Sequence, residues 1–214
     1  MNKLNKFLSL PLLGFLAFAM ASTVSAAPEV GKTAPDFSVL NTNGDTVTLS
    51  ELQGKTVVLE WTNHECPFVL KHYESGNMQA LQKEAVNDDV VWVSVISSGE
   101  GKQGYVNAEK ANALSVERGA SPTHILLDPA GDLGHLYSAK TTPHMFVIAA
   151  DGKLAYMGGI DSIASADKAD ITTADNYVRA ALSEMKSGKA VSTPSTRPYG
   201  CSVCLLYTSP SPRD

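Results

Sequence analysis

Short apolar runs alternate with longer segments of mixed polarity along most of the chain. Each run is bounded by glycine, proline or polar residues, a pattern typical of buried β-strands. The runs predict strands at 57–59, 90–96, 125–127, 144–149 and 154–157. The mixed segments predict helices at 67–85, 107–118, 132–137 and 174–186. Because strands and helices alternate, the pattern predicts an α/β layer structure with parallel crossovers.

Turn signals refine this prediction. An Asn-Gly pair at 43–44 lies between short apolar segments at 34–37 and 47–49, and it predicts a small hairpin ahead of the core. An Asp-Gly pair at 151–152 predicts a second hairpin at the sheet edge, so the central sheet is expected to be mixed. Ser-Gly-Asn at 75–77 predicts a bend or an interruption in the first long helix.

The strand at 57–59 leads through a polar loop to Cys66, which Pro67 follows directly. Proline suits the first turn of a helix, so Cys66 is predicted at or next to the helix N-cap. Unpaired backbone N–H groups and the helix dipole at this position lower a thiol pKa and increase the amount of reactive thiolate. Cys66 is therefore the candidate nucleophile. The alternative is an inert cysteine that packs as a small hydrophobe.

Several segments together resemble one family. They are WTNHECPFVLKHY at 61–73, SGNMQALQKE at 75–84, GKQGY at 101–105, TTPHMFVI at 141–148 and PYGCSV at 198–203. From Gly31 to Val203 the chain resembles the peroxiredoxin-like redoxins of the thioredoxin superfamily. These are exported bacterial proteins with one cysteine where thioredoxins carry the first of their CxxC pair. The resemblance implies a thioredoxin-like fold, with a mixed central sheet flanked by helices and an N-terminal hairpin extension.

The resemblance also implies the surroundings of the nucleophile. Pro143 is expected to be cis, and the loop containing Thr142 and Pro143 is expected to lie against Cys66. Such a loop leaves a strand edge free to pair with a peptide or a protein. Pro67, at the start of the helix, completes this part of the predicted site.

Other polar side chains are candidates for tuning the Cys66 thiol. Thr62 and Asn63 in the preceding loop are candidates for oxygen contacts, and Lys71 and His72 lie one to two turns along the helix. His72 is more typical of a structural or exposed histidine than of a catalytic one. His144 either reaches the site or faces the opposite side of the sheet.

Two departures from better-known relatives limit the chemistry. Val69 stands where thioredoxins have their second cysteine, which excludes CxxC dithiol exchange. Asn63 and Leu59 stand where peroxiredoxins carry the threonine and proline of PxxxTxxC. The leading hypothesis is a thiol-dependent oxidoreductase without a cofactor. It would act on a peroxide or a protein disulfide through one active-site cysteine, with a thiol as its reductant. The rival hypothesis is a non-enzymatic redoxin-fold module that binds a protein partner in the cell envelope.

The net charge and the spacing of potential metal ligands limit the classes of binding partner. The chain carries 22 acidic and 17 basic residues and no basic cluster, which argues against nucleic acid and anionic membrane surfaces. The cysteines and histidines follow no paired ligand spacing, so no metal site is predicted.

The first 26 residues have the pattern of a secretory signal peptide. Two lysines precede an apolar run at 7–20, and small residues follow at 24–26. A transmembrane anchor is the alternative, but the run is shorter than the roughly 20 residues that span a bilayer, and Pro11 and Gly14 interrupt it. The mature chain is therefore expected to be periplasmic or otherwise exported, without a membrane span.

The last eleven residues, CLLYTSPSPRD from Cys204 to Asp214, match a translation of the transposase adapter used in preparing sequencing libraries. They are treated as read-through and not as native sequence. The predicted organisation is a signal peptide at 1–26, a redoxin domain at 27–190, a tail at 191–203 and read-through at 204–214.

With Cys204 set aside, Cys201 is the second cysteine of the exported chain. An oxidising compartment permits a disulfide, but the number of cysteines alone does not decide whether one forms. One possibility is that the tail folds back over the Cys66 loop and Cys201 resolves an oxidised Cys66. The other is a spare thiol on an irregular terminus.

Overall fold

The computed structural model describes residues 27–205. The predicted signal peptide at 1–26 and all but two residues of the predicted read-through lie outside this range. Within residues 27–205, no helix is both long enough and apolar enough to cross a bilayer.

The described chain contains short strands and helices in an alternating order. The strands are β1 (Ser38–Leu40), β2 (Thr46–Thr48), β3 (Val57–Trp61), β4 (Val91–Ile96), β5 (His124–Leu127), β6 (Thr141–Thr142), β7 (His144–Ile148), β8 (Leu154–Gly158) and β9 (Cys201–Ser202). The α-helices are α1 (Pro67–Glu74), α2 (Asn77–Asn87), α3 (Ala108–Glu117), α4 (Asp132–Leu136) and α5 (Tyr177–Lys186). Two 3-10 helices lie at Leu49–Leu52 and Lys168–Thr172.

The central sheet has the strand order β5-β4-β3-β7-β8. Strands β3, β4 and β5 are parallel, whereas β7 and β8 run antiparallel to their neighbours. This arrangement confirms the predicted α/β class with a mixed central sheet flanked by helices. The predicted N-terminal hairpin is also present, as β1 paired with β2.

Strand β3 is the most buried part of the sheet, and all five of its residues are buried. On one face, Leu59 and Trp61 pack with Tyr137 and Phe146. On the other face, Val58 packs in a cluster with residues of α1, α2 and α5. Because β3 is covered on both faces, it forms a nearly continuous apolar run, and its carboxyl end delivers the chain to Cys66.

Several predicted boundaries differ from the structure. The first hairpin strand lies at Ser38–Leu40 and not at 34–37. Helix α5 begins at Tyr177 and not at 174, because the Asn176 side chain caps it by accepting a hydrogen bond from the Arg179 N–H at 2.9 Å. By contrast, the interruption predicted at 75–77 is confirmed, because the segment 67–85 forms two helices and Gly76 between them has a left-handed φ of 75°.

Candidate active site

Cys66 lies at the N-cap of α1, as predicted. Its backbone is extended, Pro67 is the first residue of the helix, and the Cys66 carbonyl accepts from the N–H groups of Val69 and Leu70, both at 2.9 Å. The residue is fully buried, with 0% of its surface exposed. The thiol therefore lies at the positive end of the helix dipole, in a site from which bulk water is excluded.

The second cysteine meets the first. Strand β9 pairs antiparallel with β6 in a register that sets Cys201 opposite Thr142. The Sγ atoms of Cys66 and Cys201 are 2.7 Å apart, and both residues are free thiols. A disulfide of about 2.05 Å requires the two sulfurs to approach by only roughly 0.7 Å. In this structure the tail folds back, so that Cys201 lies against Cys66 and is not a spare thiol on an irregular terminus.

The loop of Thr142 and Pro143 covers the thiol from a third side. The Thr142–Pro143 peptide bond is cis, as the resemblance implies. The Cys66 thiol donates to the Thr142 carbonyl at 3.0 Å. The Thr142 hydroxyl is buried and has no hydrogen-bond partner in the described part of the chain, so it is free to turn toward a thiolate.

The two thiols differ in acidity. Burial by itself raises the pKa of Cys66, but hydrogen bonds that stabilise its thiolate form, from Cys201, the Thr142 side chain and the Val69 N–H, outweigh it, so the pKa of Cys66 is lowered. Burial, together with the neighbouring Cys66 sulfur, raises the pKa of Cys201 to about 12. Cys66 is therefore the more acidic thiol of the pair.

This division gives a first prediction. Replacing Cys201 by alanine removes a hydrogen-bond donor to the Cys66 thiolate, so the pKa of Cys66 should rise. The pKa is read from the pH dependence of Cys66 alkylation by iodoacetamide, with mass spectrometry to assign the modified peptide. Cys201→Ser is the matched control, because its hydroxyl keeps a donor and should give a smaller rise. A pKa unchanged in both variants would contradict the donor role of Cys201.

Asn63 and Thr62 shape the loop before Cys66. The Asn63 carboxamide accepts from the Glu65 N–H at 2.9 Å and donates to the Gln103 carbonyl at 3.4 Å. Gly104 packs so tightly on Asn63 that a Cβ there would lie 2.3 Å from its Oδ1. The Thr62 side chain lines a separate cavity of about 40 Å³. In this structure the Asn63 side chain supports the loop, the Thr62 hydroxyl has no hydrogen-bond partner within residues 27–205, and the contacts to the sulfur come from Thr142 and Cys201.

Three other candidates have partners other than the Cys66 sulfur. His144 faces the opposite side of the sheet, where its ring lies 4.4 Å from the ring of Phe146, and burial lowers its pKa to about 4. Lys71 and His72 lie on the buried side of α1, close to the Asp161 carboxylate. Asp161 lies beyond the last predicted strand, and no local sequence pattern marked it as a partner of α1. Within residues 27–205, no group of three or more potential ligands could hold a metal ion.

The fold and this site define a thioredoxin-like protein with a buried cysteine at a helix N-terminus and a second cysteine in contact with it. The family model described as Redoxin matches residues 29–175. The chain belongs to the Redoxin family. The match ends before Cys201, so the tail lies outside the matched residues.

Two solved structures share this fold, and a third is less similar. A hypothetical protein from Sinorhizobium meliloti has a TM-score of 0.70 and 22% identity, over 86% of this chain and 98% of its own. An uncharacterized conserved protein from Geobacillus kaustophilus has a TM-score of 0.71 and 23% identity, over 85% of this chain and 94% of its own. A pneumococcal exposed lipoprotein thioredoxin from Streptococcus pneumoniae has a TM-score of 0.44 and 27% identity, over 65% and 96%. No curated protein matches the chain significantly.

Proposed function

We propose that the protein is a thiol oxidoreductase in which Cys66 is the attacking thiolate and Cys201 is the resolving thiol. The observation that carries this proposal is the 2.7 Å contact between the two sulfurs at the N-terminus of α1. Redoxin family membership supports the reaction class. The opposite pKa shifts of the two thiols support the assignment of roles.

The chemistry balances with either kind of substrate. Attack on a peroxide breaks the O–O bond, forms a Cys66 sulfenic acid and releases an alkoxide or hydroxide, which takes a proton. The Cys201 thiol then forms the S–S bond, and water leaves. Attack on a disulfide gives a mixed disulfide and one thiolate, and Cys201 then displaces the second thiolate. Both routes end in a Cys66–Cys201 disulfide. A thiol reductant then reduces this disulfide and restores the two thiols.

We also propose that the protein works after export. The lysines, apolar run and small residues at 1–26 support removal of that segment, and an oxidising compartment suits a disulfide cycle. The mature chain would then begin at Ala27.

One experiment tests the whole proposal. The chain is expressed in a bacterium with residues 1–26 in place, recovered from the periplasm, reduced and treated with a stoichiometric amount of hydrogen peroxide or of oxidised glutathione. Intact mass reads the N-terminus, and peptide mapping without reduction should recover Cys66 joined to Cys201. In Cys201→Ser, dimedone should label Cys66 after peroxide, or glutathione should remain attached to it.

Cys204 serves as the internal comparison, because it is expected to stay a free thiol throughout. Recovery of Cys201 wholly as free thiol while Cys66 is oxidised would remove its resolving role. A Cys66 that neither binds dimedone nor holds glutathione would exclude the oxidoreductase and favour the binding module.

A further inference from the structure

The tail reaches Cys66 along a fixed path. Ser195 forms a parallel bridge with Met157, and the Thr196 hydroxyl accepts from the Gly159 N–H at 3.0 Å. Beyond it, Gly200 has a φ of +135°, and a Cβ there would lie 2.0 Å from the Thr142 carbonyl oxygen. Only glycine fits this approach, so the tail is held closely against the loop that covers Cys66.

Tyr199, between these two points, is held by its hydroxyl and by its ring. The hydroxyl donates a hydrogen bond to Oδ1 of Asp161 and lies 3.3 Å from Nε2 of His72. The ring packs edge to face on Phe68, with centroids 5.9 Å apart, and lies 5.6 Å from the Lys71 ammonium. Lys71, His72 and Asp161 are called the anchor cluster below.

The anchor cluster is buried and internally bonded. The Lys71 ammonium and the Asp161 carboxylate are 3.3 Å apart, with 0% and 3% of their side chains exposed. Lys71 also donates to the Ile163 carbonyl at 2.9 Å. Because the Asn77 carboxamide donates to Nδ1 of His72 at 2.9 Å, the hydrogen of a neutral His72 lies on Nε2, facing the Tyr199 oxygen.

The protonation states of His72 and Tyr199 are compatible with these hydrogen bonds. Burial lowers the pKa of His72 to about 4, so the ring is neutral at pH 7. Burial and the Asp161 carboxylate raise the pKa of the Tyr199 phenol, which stays a donor. A buried charged acceptor makes the Tyr199 hydrogen bond one of the stronger contacts of the tail.

The anchor cluster connects the two cysteines through helix α1. Lys71 and His72 lie on α1, whose N-cap is Cys66, and Tyr199 lies two residues before Cys201. We propose that Tyr199 is the positioning residue of the resolving step and that the anchor cluster holds it, so that Cys201 stays at a high effective concentration beside Cys66. This inference rests on the proposed function, because it concerns the formation of the Cys66–Cys201 disulfide.

The proposal is tested at equilibrium in glutathione buffers. Oxidised glutathione loses its S–S bond, the protein gains the Cys66–Cys201 bond, and the two thiol protons pass to glutathione. The fraction oxidised is measured by alkylation and mass spectrometry over a series of glutathione ratios. Its equilibrium constant reports the effective concentration of Cys201 at Cys66 and does not depend on the natural substrate.

Tyr199→Ala removes the hydroxyl and the ring contacts, so the equilibrium constant should fall roughly 10-fold to 100-fold. Tyr199→Phe keeps the ring, so its equilibrium constant should lie between those of Tyr199→Ala and the parent protein. Tyr177→Phe is the matched control, because Tyr177 packs on Tyr156 and lies outside the anchor cluster. Its equilibrium constant should equal that of the parent protein.

Alkylation of Cys66 in the reduced proteins supplies a readout that general damage to the fold would not produce. The pKa read from its pH dependence should rise in Tyr199→Phe, but no further than in Cys201→Ala, because loosening the tail weakens only the hydrogen bond from Cys201. Equal equilibrium constants for the parent protein and both Tyr199 variants would overturn the positioning role and leave the proposed function intact. Absence of a Cys66–Cys201 disulfide in the parent protein at every ratio would instead overturn the proposed function.

Discussion

Replacing Cys66 by serine is expected to lower the rate of peroxide or disulfide reduction by about a thousandfold or more, to the uncatalysed level. A serine hydroxyl at this N-cap does not ionise near pH 7, so the helix terminus that stabilises a thiolate has no anion to stabilise. The rate is followed by consumption of peroxide, or of oxidised glutathione, with dithiothreitol as the reductant.

Two variants make this measurement specific to Cys66. Cys204→Ser should retain the parent rate. Cys201→Ser should retain the first attack but accumulate the oxidised or mixed-disulfide form of Cys66. A Cys66→Ser protein that turns over substrate at one tenth of the parent rate or faster would show that Cys66 is not the nucleophile.

The local part of the site could be read from the chain. An apolar run, a polar loop, Cys66 and Pro67 follow one another within about ten residues, and each step is set by short-range preferences: strand burial, proline at the first helical turn and the N-cap. These short-range preferences account for the position of Cys66 at the N-cap of α1 in the structure.

The position of Cys201 depends on contacts that local preferences do not encode. Cys66 and Cys201 are separated by 135 positions, and β9 has only two residues. What fixes the tail is the hydrogen bond from Tyr199 to Asp161, 38 positions earlier, and the close approach of Gly200 to Thr142. A Ser- and Pro-rich segment with no apolar periodicity carries no signal for such a strand.

The direction of a side chain across the sheet was also open. His144 directly follows the cis proline, and either face of the sheet was compatible with the sequence. Its packing on Phe146 places it on the face that also buries Trp61, opposite the cluster that contains Cys66. The register of β7 against β3, which sets His144 opposite Trp61, decides this outcome.

Glu60 is an ionisable residue inside an apolar strand and is fully buried. Its carboxylate accepts from Nε1 of Trp92 at 2.8 Å and from the Tyr73 hydroxyl at 2.9 Å. Gln82 and Ser94 each donate to it at 3.1 Å. Burial raises the pKa of Glu60 above its ordinary 4.5, and the four hydrogen bonds oppose that rise.

Glu60→Leu is expected to destabilise the protein by about 4 kcal/mol or more, because four buried donors lose their acceptor and each unsatisfied group costs roughly 1–3 kcal/mol. The free energy of unfolding is measured by urea titration, followed by tryptophan fluorescence. Glu60→Gln is the matched control, since it keeps the shape and one acceptor oxygen and should lose less. A loss below about 1 kcal/mol in Glu60→Leu would show that the four donors find other partners.

A comparison of the parent protein with Glu60→Gln also tests the pKa shift of Glu60. Because its folded pKa is raised, the contribution of Glu60 to stability is fully present below 4.5 and is lost as the pH rises through the folded pKa. The parent protein should therefore lose stability relative to Glu60→Gln by about 1.4 kcal/mol per pH unit within that window. His72 and His144, whose pKa values are lowered to about 4, are common to both proteins, so the difference isolates Glu60. A difference that stays constant with pH, or that grows in favour of the parent protein, would contradict the raised pKa.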